Sequence, residues 1–111
     1  MRLVLVDNDA TVITLLSLDL GLEGHDVAAT AADADAAIRA CDEVNPDAVI
    51  LDLKLGRGPD GIDVAEVVAR PGRRLILHTN YVSPTVVERA RRVGAVVVEK
   101  GSLRALRRAL A

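Results

Sequence analysis

Residues 48–53 read Ala48-Val49-Ile50-Leu51-Asp52-Leu53, an apolar run interrupted by one carboxylate near its carboxyl end. A short continuous apolar run, rich in branched side chains and bounded by polar residues, is the pattern of a strand covered on both faces. Leu3 to Val6, Arg74 to Thr79 and Ala95 to Val98 repeat it, and His25 to Thr30 is a weaker version. Helical patterns fill the intervals. Thr11 to Leu22 places Val12, Leu15, Leu16 and Asp19 at helical spacing, and Gly21 and Gly24 punctuate its end. Asp33 to Val44 sets Ile38 and Cys41 on one face and is closed by Asn45-Pro46. Ile62 to Ala69 follows a loop at Gly56–Gly61 and stops at Pro71-Gly72. Ser83-Pro84 opens a fourth helix that Gly94 ends. Ser102 caps a fifth, with Leu103, Leu106 and Leu110 expected to face inward. Strict alternation of five strands and five helices predicts one α/β domain over residues 1–111, with a parallel sheet covered on both faces.

Composition narrows the function. Half of the 111 residues are apolar, yet Tyr81 is the only aromatic. The core is therefore aliphatic, and modules that stack bases on flat rings are excluded, so direct nucleic-acid binding is not expected. A lone cysteine, Cys41, cannot form an internal disulfide; it reads as a packing residue. No apolar run approaches the roughly 20 residues of a membrane span, and no signal-peptide pattern opens the chain. A cytoplasmic protein without membrane contact is expected. The net charge of −2 hides an asymmetry: residues 1–66 hold 14 acids and 4 bases, residues 67–111 hold 2 acids and 10 bases. Such polarity asks where the acids converge and what the basic end meets.

Right-handed crossovers place the loops that follow the strands on one edge of the sheet, where ligands of such folds bind. The first strand ends in Asp7-Asn8-Asp9, the third at Asp52, the fourth in His78-Thr79-Asn80 and the fifth in Glu99-Lys100. Carboxylates, a hydroxyl and an amine at one edge suit phosphoryl transfer to a carboxylate nucleophile. Asp7 and Asp52 are candidates to share a hard divalent cation such as Mg2+. Thr79 and Lys100 are candidates to bind phosphoryl oxygens. Asp9, opening a helix, reads as its N-cap. His25 reads as a surface residue. His78 points to the sheet face opposite Thr79 and reads as a packed or partner-facing side chain.

Taken in order, Leu3–Asp9, Pro46–Leu53, Asp60-Gly61-Ile62, Thr79 and Gly94–Lys100 resemble the receiver domain of two-component response regulators, over essentially the whole chain. The resemblance implies a flavodoxin-like, doubly wound sheet with strand order 2-1-3-4-5. It implies Asp52 as acceptor of a phosphoryl group from a sensor histidine kinase or phosphotransfer protein. It implies Mg2+ held by Asp7, Asn8, Asp52 and the Lys54 backbone carbonyl. Thr79 and Lys100 would sense the phosphoryl group and shift the face formed by the fourth helix, fifth strand and fifth helix. No catalysis beyond the chain's own phosphorylation and dephosphorylation is implied.

The chain departs from the family pattern in ways that bear on mechanism. Asn8 replaces one of two adjacent acids, so weaker metal affinity is expected. Asn80 replaces a small residue after the threonine and narrows access to Asp52. Tyr81 and Lys54 occupy positions that modulate attack of water on the phosphoryl group, and together read as a gate. Val97 stands where a switching aromatic is usual, and Gly101 where proline is usual. These departures support an alternative: a pseudo-receiver that binds proteins without productive phosphorylation. A third reading, a small phosphatase with Asp7 as nucleophile and Asp9 as acid, lacks a cap domain to shape its pocket. Arg89, Arg91, Arg92, Arg104, Arg107 and Arg108 give the fourth and fifth helices a basic surface, expected to serve a homodimer or an acidic partner.

Overall fold

A computed structural model describes residues 1–111. The elements alternate as predicted: β1 (Arg2–Val6), α1 (Ala10–Leu22), β2 (Asp26–Ala31), α2 (Ala34–Val44), β3 (Ala48–Leu51), α3 (Gly61–Val68), β4 (Arg74–Thr79), α4 (Pro84–Arg92), β5 (Ala95–Glu99) and α5 (Leu103–Leu110). All strand pairs are parallel, and the order is β2-β1-β3-β4-β5. This is the flavodoxin-like arrangement.

Local chemistry sets the helix starts. Every helix has an N-cap side chain that accepts a backbone N–H: Asp9, Asp33, Asp60, Ser83 and Ser102. Asp60 and Asp63 form a reciprocal capping box at α3. Pro84 sits at the first helical position, where its missing N–H costs nothing.

Strand alternation divides the core in two. Val4, Val6, Val49, Leu51, Leu75 and Leu77 pack against α2, α3 and α4. Leu3, Leu5, Ile50, Ile76 and Val98 pack against Leu16 and Leu20 of α1 and Leu106 and Leu110 of α5. Burying each such side chain contributes about 1.5–3 kcal/mol, so an aliphatic core suffices.

Three sequence expectations need correction. β3 ends at Leu51, so Asp52 is the first residue beyond the strand. β2 begins at Asp26, and His25 is half-buried beside the N-terminal amine. Leu103 is exposed; Leu106 and Leu110, with Ala105 and Ala109 beside them, fill the inner face of α5. In α1, where the spacing alone assigned no inward face, Leu16 and Leu20 make the inward stripe and Leu15 is exposed.

No helix is long and apolar enough to cross a membrane.

Candidate functional site

The sheet's hydrogen bonding continues one residue past each strand that supplies the site. The Asp7 N–H donates to the Ala31 carbonyl, the Asp52 N–H to Val6 and the Lys100 N–H to Thr79. The backbones of three candidate residues are thus fixed by neighbouring strands. Asp7 and Asp52 are only 4 % and 6 % exposed.

Each carboxylate is held at both oxygens. Oδ1 of Asp7 accepts the Asp9 N–H at 2.9 Å, and Oδ1 of Asp52 accepts the Leu53 N–H at 2.7 Å. The Oδ2 atoms meet one ammonium: Nζ of Lys100 lies 2.9 Å from Asp7 and 2.8 Å from Asp52. Burial opposes the charge on Lys100, but hydrogen bonds to Asp52 and Asp7 outweigh it and raise its pKa above the ordinary lysine value. Two buried carboxylates aimed at one cationic centre are also the oxygen donors a hard divalent cation takes. The donor set fits Mg2+ in part: the cluster supplies two carboxylates, not a cage of three or more acidic, histidine or cysteine ligands, so water would complete the coordination.

Thr79 is fully buried, and its Oγ1 accepts the Tyr81 N–H at 3.1 Å. This bond fixes the hydroxyl position and the start of the β4–α4 loop. Asn8, Asn80, Tyr81 and Lys54 are exposed. The expected pairing of Lys54 with Tyr81 is present: the ammonium lies 4.9 Å from the ring centre, a cation–π contact. Asp9 caps α1 through bonds from Thr11 and Val12, as expected. His78 is buried on the α1/α5 side of the sheet, opposite Thr79. Burial, then the nearby Lys100 charge, hold its pKa below the usual imidazole value, with Asp7 and Asp52 pulling the other way.

Sequence reasoning gave no physical role to Gly61. A Cβ there would run into the Asp52 carbonyl, and the Gly61 N–H donates to Leu53 at 2.8 Å. The first turn of α3 therefore presses on the backbone that carries Asp52. The signal was the Asp60-Gly61 pair just before a helical pattern. At the other side of the site, Gly101 has φ +99°, a left-handed turn suited to glycine, and no peptide bond is cis.

The basic surface is smaller than the sequence suggested. Arg89 binds Asp60 at 2.8 Å and reaches Asp63 at 3.6 Å, tying α4 to α3. Arg107 pairs with Asp19 and with Glu23, tying α5 to α1. Arg91 and Arg92 share Glu88. Arg104 and Arg108 have no carboxylate partner in the structure. Val97 is half-buried in a groove of about 480 Å³ between α4 and β5, with Val82, Val87, Arg91, Ala95 and Glu99.

Comparison with known proteins bears on the family and the fold. The family model described as "Response regulator receiver domain" matches residues 3–109. The transcriptional regulatory protein PdtaR of Mycobacterium tuberculosis is 31 % identical over 96 residues, covering 86 % of this chain and 46 % of that protein. The chain thus spans about half the length of this curated relative. A two-component response regulator of the LuxR family from Aurantimonas sp. SI85-9A1 superposes with a TM-score of 0.89 at 32 % identity, over 98 % of this chain and 81 % of that one. A CheY-like receiver domain protein from Methanospirillum hungatei JF-1 gives a TM-score of 0.88 at 24 % identity, over 98 % and 89 % of the two chains, a likeness of fold.

Proposed function

The chain belongs to the response regulator receiver domain family of two-component signalling, and we propose that residues 1–111 form one phosphorylatable receiver with Asp52 as acceptor. The observation that carries this reading is the bridge from Lys100 to the two buried carboxylates of Asp7 and Asp52. Two carboxylates against one ammonium leave the site net negative, so a divalent cation would be needed to offset the charge of an incoming phosphoryl group.

The donor would be a histidine kinase or phosphotransfer protein. An oxygen of Asp52 attacks phosphorus, the P–N bond to the donor histidine breaks, and the leaving imidazole takes up a proton. Positioning and electrostatics supply most of the rate. The strand-end hydrogen bonds and the Leu53 N–H hold Asp52 in place. Lys100 offers a charge-assisted hydrogen bond to the transferred group, and Thr79 a neutral one. Asp7, Asp52, Asn8 and the Lys54 carbonyl would hold Mg2+, which neutralises phosphoryl charge when bound. Asn8 contributes no charge, so affinity for the ion is low. Lys54 and Tyr81 stand at the loops flanking Asp52 and Thr79 and limit access of water. The chain carries the phosphoryl group rather than turning over a separate substrate.

Acetyl phosphate and a fluoroberyllate mimic, each with and without Mg2+, test the reading by intact mass and spectral change. The expected result is one Mg2+-dependent phosphoryl adduct, absent from Asp52→Asn. Absence of both an adduct and Mg2+ binding would favour a protein-binding module, the reading that Asn8 supports. An adduct on Asp7 would favour the phosphatase-like reading.

A further inference from the structure

Helix α1 is apolar on two opposite sides. Leu16 and Leu20 are buried against the sheet, whereas Leu15, Leu18 and Leu22 are 61 %, 63 % and 88 % exposed. With 3.6 residues per turn, the outer three fall within about 60° of one another and face away from the buried pair. Their three- and four-residue spacing is that of a coiled-coil seam. Leu103 at the start of α5 joins them around a groove of about 550 Å³. The only charge in α1 is Asp19, and Arg107 neutralises it. An outer helix of a doubly wound fold needs one apolar stripe; a helix apolar all round is ordinarily covered all round.

We propose that the second stripe is covered by a second copy of this chain, docked α1 to α1 about a two-fold axis, with Leu18 against the partner's Leu18. A two-fold interface needs a patch that complements itself, and a stripe of leucines at seam spacing does so. Charge selects the same surface. The α4/α5 face carries Arg91, Arg92, Arg104 and Arg108 against two acids, Glu88 and Glu99, so stacking it on itself opposes two surfaces of net positive charge. The α1 stripe meets its copy without that repulsion.

Size sets the strength. A 13-residue helix is about 20 Å long. A seam of that length with Leu103 at its rim buries less than the roughly 800 Å² per partner of a standard interface. The dimer is therefore weak, with dissociation in the range of tens of micromolar.

Sedimentation velocity from about 5 µM to about 500 µM tests this, a span that brackets such a dissociation constant. Wild type should shift from monomer to dimer. Leu18→Glu should stay monomeric throughout while retaining wild-type circular dichroism. Arg104→Glu with Arg108→Glu should leave the dimer intact. Wild type that remains monomeric overturns the proposal, as does a dimer that Leu18→Glu spares or that the arginine variant abolishes. Should Leu18→Glu not fold, Leu18→Cys replaces it. Under a mild oxidant two such thiols lose two protons and two electrons to form an intersubunit disulfide, and Cys41 is too buried to compete. Failure to cross-link at high concentration then overturns it.

Discussion

The ammonium of Lys54 lies 4.9 Å from the centre of the Tyr81 ring, joining the loop after Asp52 to the loop after Thr79. The contact spans the mouth of the proposed site with the only aromatic side chain in the protein. Both side chains are exposed, so the attraction is worth about 0.5–1 kcal/mol. That is too little to hold the fold and enough to bias where two loops rest. Tyr81→Ala and Lys54→Ala should each leave stability within about 0.5 kcal/mol of wild type. Each should change the rate of loss of the phosphoryl group several-fold, and the double variant should add little to either. Phosphoryl decay followed by intact mass checks this. Unchanged decay in both single variants would remove the gate.

Gly61 is the second constraint on the Asp52 loop. Its missing Cβ leaves room for the Asp52 carbonyl, a backbone atom that cannot rotate away. Gly61→Ala should cost about 1–3 kcal/mol through overpacking and lower the rate of phosphorylation of Asp52. Gly21 in α1 is the contrasting case, with open space around it and no positive φ. Gly21→Ala should stabilise by about 0.5–1 kcal/mol. Urea unfolding of the two variants separates these signs.

The strands and the helix caps at Asp9, Ser83 and Ser102 were legible because their signals are local: apolar runs, hydroxyls before helices, proline at a first turn. So was the meeting of Asp7, Asp52 and Lys100, because parallel topology gathers strand ends on one edge. The charge asymmetry was visible but its meaning was not. Part of it is consumed inside the molecule: Arg107 on Asp19 and Glu23, Arg89 on Asp60 and Asp63, Arg70 on Asp42, and Lys100 on Asp7 and Asp52. Pairing across sequence separations of this kind depends on helix neighbours on the sheet, which periodicity does not report. Leu103 was misplaced for a related reason, and Leu15 was left without a side. A helix with leucines on both faces has no single inward stripe to read.

His78 gives the structure a pH dependence with a defined sign. Burial and Lys100 keep its folded pKa below the unfolded value, which is about 6.5. The unfolded chain then binds a proton that the folded chain resists. Stability should be full above about pH 6.5 and fall as pH drops below it, by up to about 1.4 kcal/mol per unit, until the folded pKa is passed. His78→Val should flatten that segment of the curve. Urea midpoints at a series of pH values across this range are the check, and an equal slope in the variant would remove His78 as the source.

Lys100 is the counter-charge for two carboxylates, which sets what its removal should do. Its raised pKa means that its stabilising contribution is complete below the ordinary lysine range and is lost only as pH rises through the higher folded value. Ordinary working pH should therefore not disturb the bridge. Lys100→Met should, because it leaves Asp7 and Asp52 buried beside one another without a cation. Breaking such a cluster from one side costs about 3–5 kcal/mol when fully buried, and somewhat less here because the ammonium is partly exposed. A divalent cation held by the same oxygens would restore the balance. In the presence of a chelator Lys100→Met should unfold well below wild type, and Mg2+ should recover most of the difference while moving wild type much less. Thermal unfolding with chelator and with graded Mg2+ reads both effects. A loss that Mg2+ does not repair would mean that Asp7 and Asp52 do not form the metal site.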